Sequence, residues 1–155
     1  MNEYIYKNES VNSLIKTILT QIQETESKYD CIVGIGKGGL IPAVVLGYKL
    51  DLKVYNLGIS SYKGKTQTSS FTVYQDFHFD DLSKGSKVLI VDDICDSGNT
   101  FNFIKQKVRR ATSIMHDGVE CDYAALLARE KTQDLVDFPG AVINGDEWIV
   151  FPWDK

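Results

Sequence analysis

The chain has 155 residues, a formal net charge of −4 and 43% hydrophobic content. That length suffices for a core of its own, and the expectation is a single domain over residues 1–155. The acidic balance argues against nucleic acid as the main partner, no apolar run reaches membrane-spanning length, and the polar N-terminus does not read as a secretory leader.

In chain order, Val11, Leu14, Ile15, Ile18, Leu19 and Ile22 recur at helical spacing. They predict a helix from about Glu9 to Lys28, capped by Asn8 or Ser10, whose role is packing. Cys31–Ile35 reads as the first core strand and Leu40–Leu50 as a helix that accepts Pro42 in its first turn. Between them, Gly34, Gly36 and Gly39 match the G-x-G-x-x-G dinucleotide fingerprint. That fingerprint wants an acid at the end of the next strand, and the strand beginning at Lys53 ends in Gly58-Ile-Ser-Ser61 instead. Tyr62–Ser70 is small and polar, a mobile hairpin tip by composition, and Phe71–Phe77 alternates as a half-exposed strand does.

The chain is organised around Lys87–Thr100. Val88–Val91 reads as a strand buried on both faces, with Asp92 and Asp93 side by side at its C-terminal end. Asp96-Ser-Gly-Asn-Thr100 follows, and then a helix over Phe101–Arg110. Backbone N–H groups of Ser97, Gly98, Asn99 and Thr100 can converge on one phosphate, aided by the helix dipole and the two hydroxyls. The paired carboxylates repel a phosphate and suit hydroxyl groups or a divalent cation beside it. A ribose 5-phosphate satisfies both halves. A solvated acidic turn after a strand leaves the Gly-Asn-Thr spacing unexplained.

Beyond this motif, Met115–Glu120 reads as a surface turn and Asp122–Ala128 as another buried strand that ends in Arg129-Glu-Lys131. The tail, Ala141–Lys155, is short and aromatic. Strands alternating with helices predict an α/β fold, a central mostly parallel twisted sheet flanked by helices, with ligands at the strands' C-terminal ends. Cys31, Cys95 and Cys121 form no Cys-x-x-Cys pair and fit reduced thiols in the cytoplasm. His78 and His116 are isolated, which argues against a histidine metal site.

Four apolar residues, two acids, two more residues and then Asp-Ser-Gly-Asn-Thr resemble the phosphoribosyl-diphosphate (PRPP) motif of type I phosphoribosyltransferases. The tail, with Trp148-Ile149 and Pro152-Trp-Asp154, is similar to that of the bacterial xanthine–guanine enzymes. The resemblance implies that family's fold, with a small C-terminal hood and a flexible β-hairpin loop. It implies a 5′-phosphate site at Asp96, Ser97, Gly98, Asn99 and Thr100, and a diphosphate site at Gly36, Lys37, Gly38 and Gly39 with a cis Gly36–Lys37 peptide. Ser61 and Tyr62 match the start of the family's closing loop. Arg129 stands where the family has a lysine that meets the purine 6-oxo group and N7, with Lys131 as a rival two positions on. Trp148 would stack on the base, and carbonyls of Trp148 and Ile149 would meet its C2 side. Asp92, Asp93 and Asp96 are the expected catalytic residues. The first two hold ribose hydroxyls or metal, and Asp96 serves as acid or base at N7, with Cys95 a bystander. Val150 replaces an acid that some relatives carry, so one Mg²⁺ at Asp92 and Asp93 is expected. The implied reaction is PRPP plus guanine, xanthine or hypoxanthine giving the nucleoside 5′-monophosphate and diphosphate, in a homo-oligomer, dimer or tetramer. The rivals are a PRPP-binding regulator without catalysis, for which the chain has neither a nucleic-acid module nor basic charge, and a related enzyme for another base.

Overall fold

The computed structural model describes residues 2–63, 69–114 and 118–155. Its main sheet has six strands in the order β4-β3-β2-β5-β6-β7. These are β2 (Cys31–Ile35), β3 (Lys53–Lys63), β4 (Ser69–Gln75), β5 (Lys87–Cys95), β6 (Glu120–Arg129) and β7 (Phe138–Ile143). All neighbours are parallel except the antiparallel β3–β4 pair. A second, two-stranded parallel sheet joins β1 (Glu3–Ile5) to β8 (Trp148–Val150). It builds the expected C-terminal hood from both ends of the chain.

Alternation along the central strands divides the core between two faces. Ile32, Leu89, Val91, Ala124 and Leu126 pack with α1 (Asn8–Thr25) and α2 (Leu40–Leu50) on one side. Val33, Val88, Ile90 and Ala125 pack with Phe101, Ile104 and Val108 of α3 (Asn99–Ile114) on the other. Strands covered on both faces must be apolar throughout, which is why β2 and the first part of β5 read as unbroken hydrophobic runs.

Several boundaries differ from expectation for local reasons. Lys7, not Asn8 or Ser10, stands at the N-cap of α1, and no side chain caps it. β5 runs through both acids to Cys95 because β6 extends beside it, pairing Asp92 with Ala125 and Cys95 with Ala128. α3 starts at Asn99, so Thr100 lies inside its first turn. β7 is a strand that the sequence does not announce. The mobile tip expected between Tyr62 and Ser70 falls largely on residues 64–68, and the turn expected at Met115 on residues 115–117; both stretches lie outside the described residues.

Candidate active site

Parallel pairing of β2 with β5 brings their C-terminal ends side by side. The turn after β2 therefore lies against the acidic end of β5. A Cβ built on Gly39 would sit 2.5 Å from the Val91 carbonyl oxygen, 2.7 Å from that of Ile35 and 2.8 Å from the Asp92 Cα. Only a residue without a side chain lets the turn approach this closely. A Cβ on Gly38 would strike the Asp93 carboxylate, so the glycine turn and this acid share one small space.

Asn56 of β3 holds the turn from the other side, and nothing in the linear sequence marks it. Its Nδ2 donates to the carbonyl oxygens of Gly34, at 3.0 Å, and Gly36, at 2.8 Å. The described residues contain no cis peptide, so the expected cis Gly36–Lys37 bond is corrected to trans. In a trans peptide the N–H points away from the carbonyl. Anchoring the Gly36 oxygen on Asn56 thus turns the Lys37 amide outward, and Lys37 itself is exposed.

Strand alternation sends Asp92 and Asp93 to opposite faces of β5, Asp93 towards Gly38 and Asp92 towards α3. The Asp93 amide donates to Asp92 Oδ1 and the Ile94 amide to Asp93 Oδ1, each at 2.8 Å. Burial, and then the negative charge of Asp93, hold the Asp92 carboxyl well above the ordinary carboxylate range; burial also raises Asp93. Cys95 is buried and its thiol is likewise pushed up by burial, which keeps it out of nucleophilic chemistry.

Two adjoining hollows form at this edge. One, of about 230 Å³, is bounded by Asp92, Asp93, Asp96, Ser97, Gly98 and Thr100. The second, of about 200 Å³, is bounded by Asp93, Asp96, Arg129, Trp148, Ile149 and Asp154. Asp93, Ile94 and Asp96 belong to both. Asn99 lies in the turn that floors the first hollow, as the first residue of α3. Ser61 lines neither hollow, and Ser61 and Tyr62 pair with Phe71 and Ser70 in the β3–β4 ladder. Lys131 is exposed and lines a separate depression with Asn144 and Asp146.

The hood supplies the second hollow's outer wall. Trp148 is 58% exposed, so it is no core aromatic. Its strand is fixed by the Trp148 amide donating to the Asn2 carbonyl at 2.9 Å, and by Phe151, fully buried and stacked on Trp153 at 4.9 Å. The Asp154 carboxylate accepts the Phe151 amide at 2.8 Å and closes the tail on itself.

Arg129 ends β6 at the inner wall. Its Nε donates to Asp96 Oδ1 at 2.9 Å, Nη1 to the Gly145 carbonyl at 2.9 Å and Nη2 to the Glu147 carbonyl at 2.7 Å. The sequence points to this position, but none of these acceptors was foreseeable from it, since two of them are backbone oxygens of a loop.

A sequence profile for the phosphoribosyl transferase domain matches residues 1–154. A xanthine-guanine phosphoribosyltransferase of Nitratidesulfovibrio vulgaris (strain Hildenborough) is 33% identical over 128 residues, which span 82% of this chain and 70% of that protein. The enzyme of the same name from Idiomarina loihiensis is 28% identical over 137 residues, 88% of this chain and 78% of that protein. The crystal structure of a purine phosphoribosyltransferase from Pyrococcus horikoshii superposes with a TM-score of 0.81 at 27% identity, covering 100% of this chain and 95% of that one.

Proposed function

Because the chain belongs to the phosphoribosyl transferase domain family, we propose that it transfers the 5-phosphoribosyl group of PRPP to a 6-oxopurine, namely guanine, xanthine or hypoxanthine. The observation that carries this reading is the pair of hollows sharing Asp93, Ile94 and Asp96. In this reading the first takes the sugar phosphate and the second the flat base, and the shared residues lie where the two ligands would join.

In this reading the amides of Ser97–Thr100 and the positive end of α3 bind the 5′-phosphate. Asp92 and Asp93 accept hydrogen bonds from the ribose hydroxyls, and their charge favours the ribosyl cation that develops at the anomeric carbon. The Gly36–Gly39 turn receives the diphosphate as its bond to that carbon breaks, through the Lys37 and Gly38 amides and exposed Lys37, since the Gly36 and Gly39 amides already donate to the Leu57 and Ile35 carbonyls. The purine stacks on Trp148, its C2 side meets the backbone of Trp148 and Ile149, and its N9 forms the new bond. The proton on N7 passes to Asp96, and diphosphate leaves with the bonding electron pair.

Magnesium fits this donor set. Two adjacent carboxyls whose ionisation is opposed by burial, and at Asp92 also by the charge of Asp93, form a place that a divalent cation would relieve. Held by two carboxyls, such an ion would draw its remaining ligands from water and substrate oxygens. When bound, the ion neutralises charge on the departing diphosphate.

The test is an assay with PRPP, Mg²⁺ and a panel of bases, read as nucleoside 5′-monophosphate formed. Turnover with 6-oxopurines and little with adenine is expected. PRPP binding without turnover on any base would replace the enzyme by a regulator.

Self-association belongs to the same proposal. Ile41 and Val44 of α2, with Tyr74, expose apolar surface around a hollow of about 660 Å³ beside Gly36 and Lys37, and Tyr48, one helical turn beyond Val44, is exposed as well. A second copy is the occupant we assign to it, and light scattering that shows only monomer would refute the assignment. No helix among the described residues is long and apolar enough to cross a membrane, and the three free cysteines suit a reducing cytoplasm, where we place the enzyme.

A further inference from the structure

We propose that Arg129 is a positioning residue, which sets the geometry of the base pocket through Asp96 and the 145–147 backbone rather than by presenting a free guanidinium to the base. The inference rests on the 6-oxopurine reading above and changes the part that Arg129 plays in it.

Arg129 is the one charged side chain among the buried described residues, at 7% exposure. A guanidinium removed from water is tolerated only when its N–H groups are met, and here each of its three nitrogens donates to the protein. The acceptors come from three separate places: the phosphate turn, Gly145 and Glu147. A planar fork with divergent donors can bridge them, whereas a lysine ammonium is a compact point charge and cannot span all three.

The consequences fall on the pocket's two working walls. The carbonyl that Nη2 holds belongs to Glu147, whose peptide bond leads directly into Trp148. On its other side the Trp148 amide is held by Asn2. The backbone that carries the stacking ring is therefore clamped from both directions, and Arg129 is one jaw. The Nε bond takes Oδ1 of Asp96, a residue still 55% exposed. This fixes the plane of the carboxylate and leaves its second oxygen for a ligand. Arg129 thus aligns a proton acceptor with a stacking surface, although the two lie on different elements.

Arg129→Gln and Arg129→Lys separate positioning from direct reading of the base. Amide hydrogen exchange of Gly145–Ile149 is measured without ligand, and steady-state kinetics with PRPP and with guanine, hypoxanthine and adenine. Positioning predicts exchange in that segment at least about tenfold faster in both variants. It also predicts a raised KM for every base and a lowered kcat, with the KM for PRPP unchanged. Asp96→Asn, which leaves both carbonyl bonds in place, should keep wild-type protection there. Wild-type exchange in both Arg129 variants, together with a loss confined to the 6-oxopurines, would overturn the proposal in favour of direct contact. If the wild-type protein makes no nucleotide from any purine, the functional reading fails, while the exchange measurements still decide whether Arg129 holds the hood.

Discussion

Replacing Gly39 by alanine tests the close approach on which the site depends. The new methyl carbon would lie 2.5 Å from the Val91 oxygen, 2.7 Å from the Ile35 oxygen and 2.8 Å from the Asp92 Cα. All three are backbone atoms, so no side chain can turn aside; relief requires the ends of β2 and β5 to part. Forcing a methyl into packed structure costs about 1–3 kcal/mol, and with no flexible neighbour the upper end, about 3 kcal/mol, is expected. For a domain of this size that lowers Tm by about 6–12 °C. Gly36→Ala is the internal control. There the nearest atom is the Ile59 oxygen at 3.4 Å, and the penalty is confined to the positive φ of 59°. That strain is worth about 1–2 kcal/mol. Urea unfolding followed by circular dichroism measures both, with an unchanged m-value confirming that the same surface is exposed. Calorimetry with diphosphate should show binding lost in Gly39→Ala and retained, though weaker, in Gly36→Ala. If Gly39→Ala unfolds within 1 kcal/mol of wild type, the turn does not rest on the strand ends and the diphosphate assignment loses its geometric basis.

Three further outcomes are expected. Asp92→Asn with Asp93→Asn should abolish most turnover yet raise stability at neutral pH. Both carboxyls titrate above their ordinary range in the fold, so their contribution to stability is full below that range and is lost as pH rises through the raised values; melting curves of variant and wild type should converge towards pH 4 and separate above it. Thr100→Val should weaken PRPP binding by about 1–3 kcal/mol, the worth of a hydrogen bond to a charged group, and unchanged calorimetric affinity would reduce Thr100 to a helix residue. Trp148→Ala should weaken base binding by about 1–3 kcal/mol, the range for stacking on an aromatic ring, with little change in Tm because the ring is exposed; a large drop in Tm would instead make it a structural residue.

The legible parts of this protein share a cause. β2, β5 and β6 are apolar because both faces are covered, and the turn after β5 is polar where it lines an open hollow, so the local sequence carries both signals. β7 carries Pro139 and Gly140, two residues that strands disfavour, so the local pattern does not mark it. On the edge of a sheet the missing N–H of Pro139 is tolerated, and Gly140 lies where a Cβ would meet the Leu126 oxygen at 2.5 Å and Leu14 of α1 at 3.0 Å. β1 has only three residues and a partner at the far end of the chain, so no nearby pattern reveals it. At the site, Asp92, Asp93 and the Ser97–Thr100 turn were legible as neighbours in sequence. Asn56 and the acceptors of Arg129 act on backbone carbonyls, which every residue has and which no residue type identifies.

The pairing of Glu3 with Trp148 also bears on how the protein is made. Synthesis runs from one end, and segments fold as they emerge. By the time Arg129 has emerged, the strands that carry the acids and the phosphate turn have their neighbours. The first strand of the hood must wait, unpaired, until Trp148–Val150 has been translated. A product stalled before Trp148 therefore holds the hollow beside Asp92, Asp93 and the Ser97–Thr100 turn without the strand that walls the second one. On the proposed reading such a fragment would bind the sugar phosphate without the ring that stacks on the base, which couples turnover to synthesis of the hood.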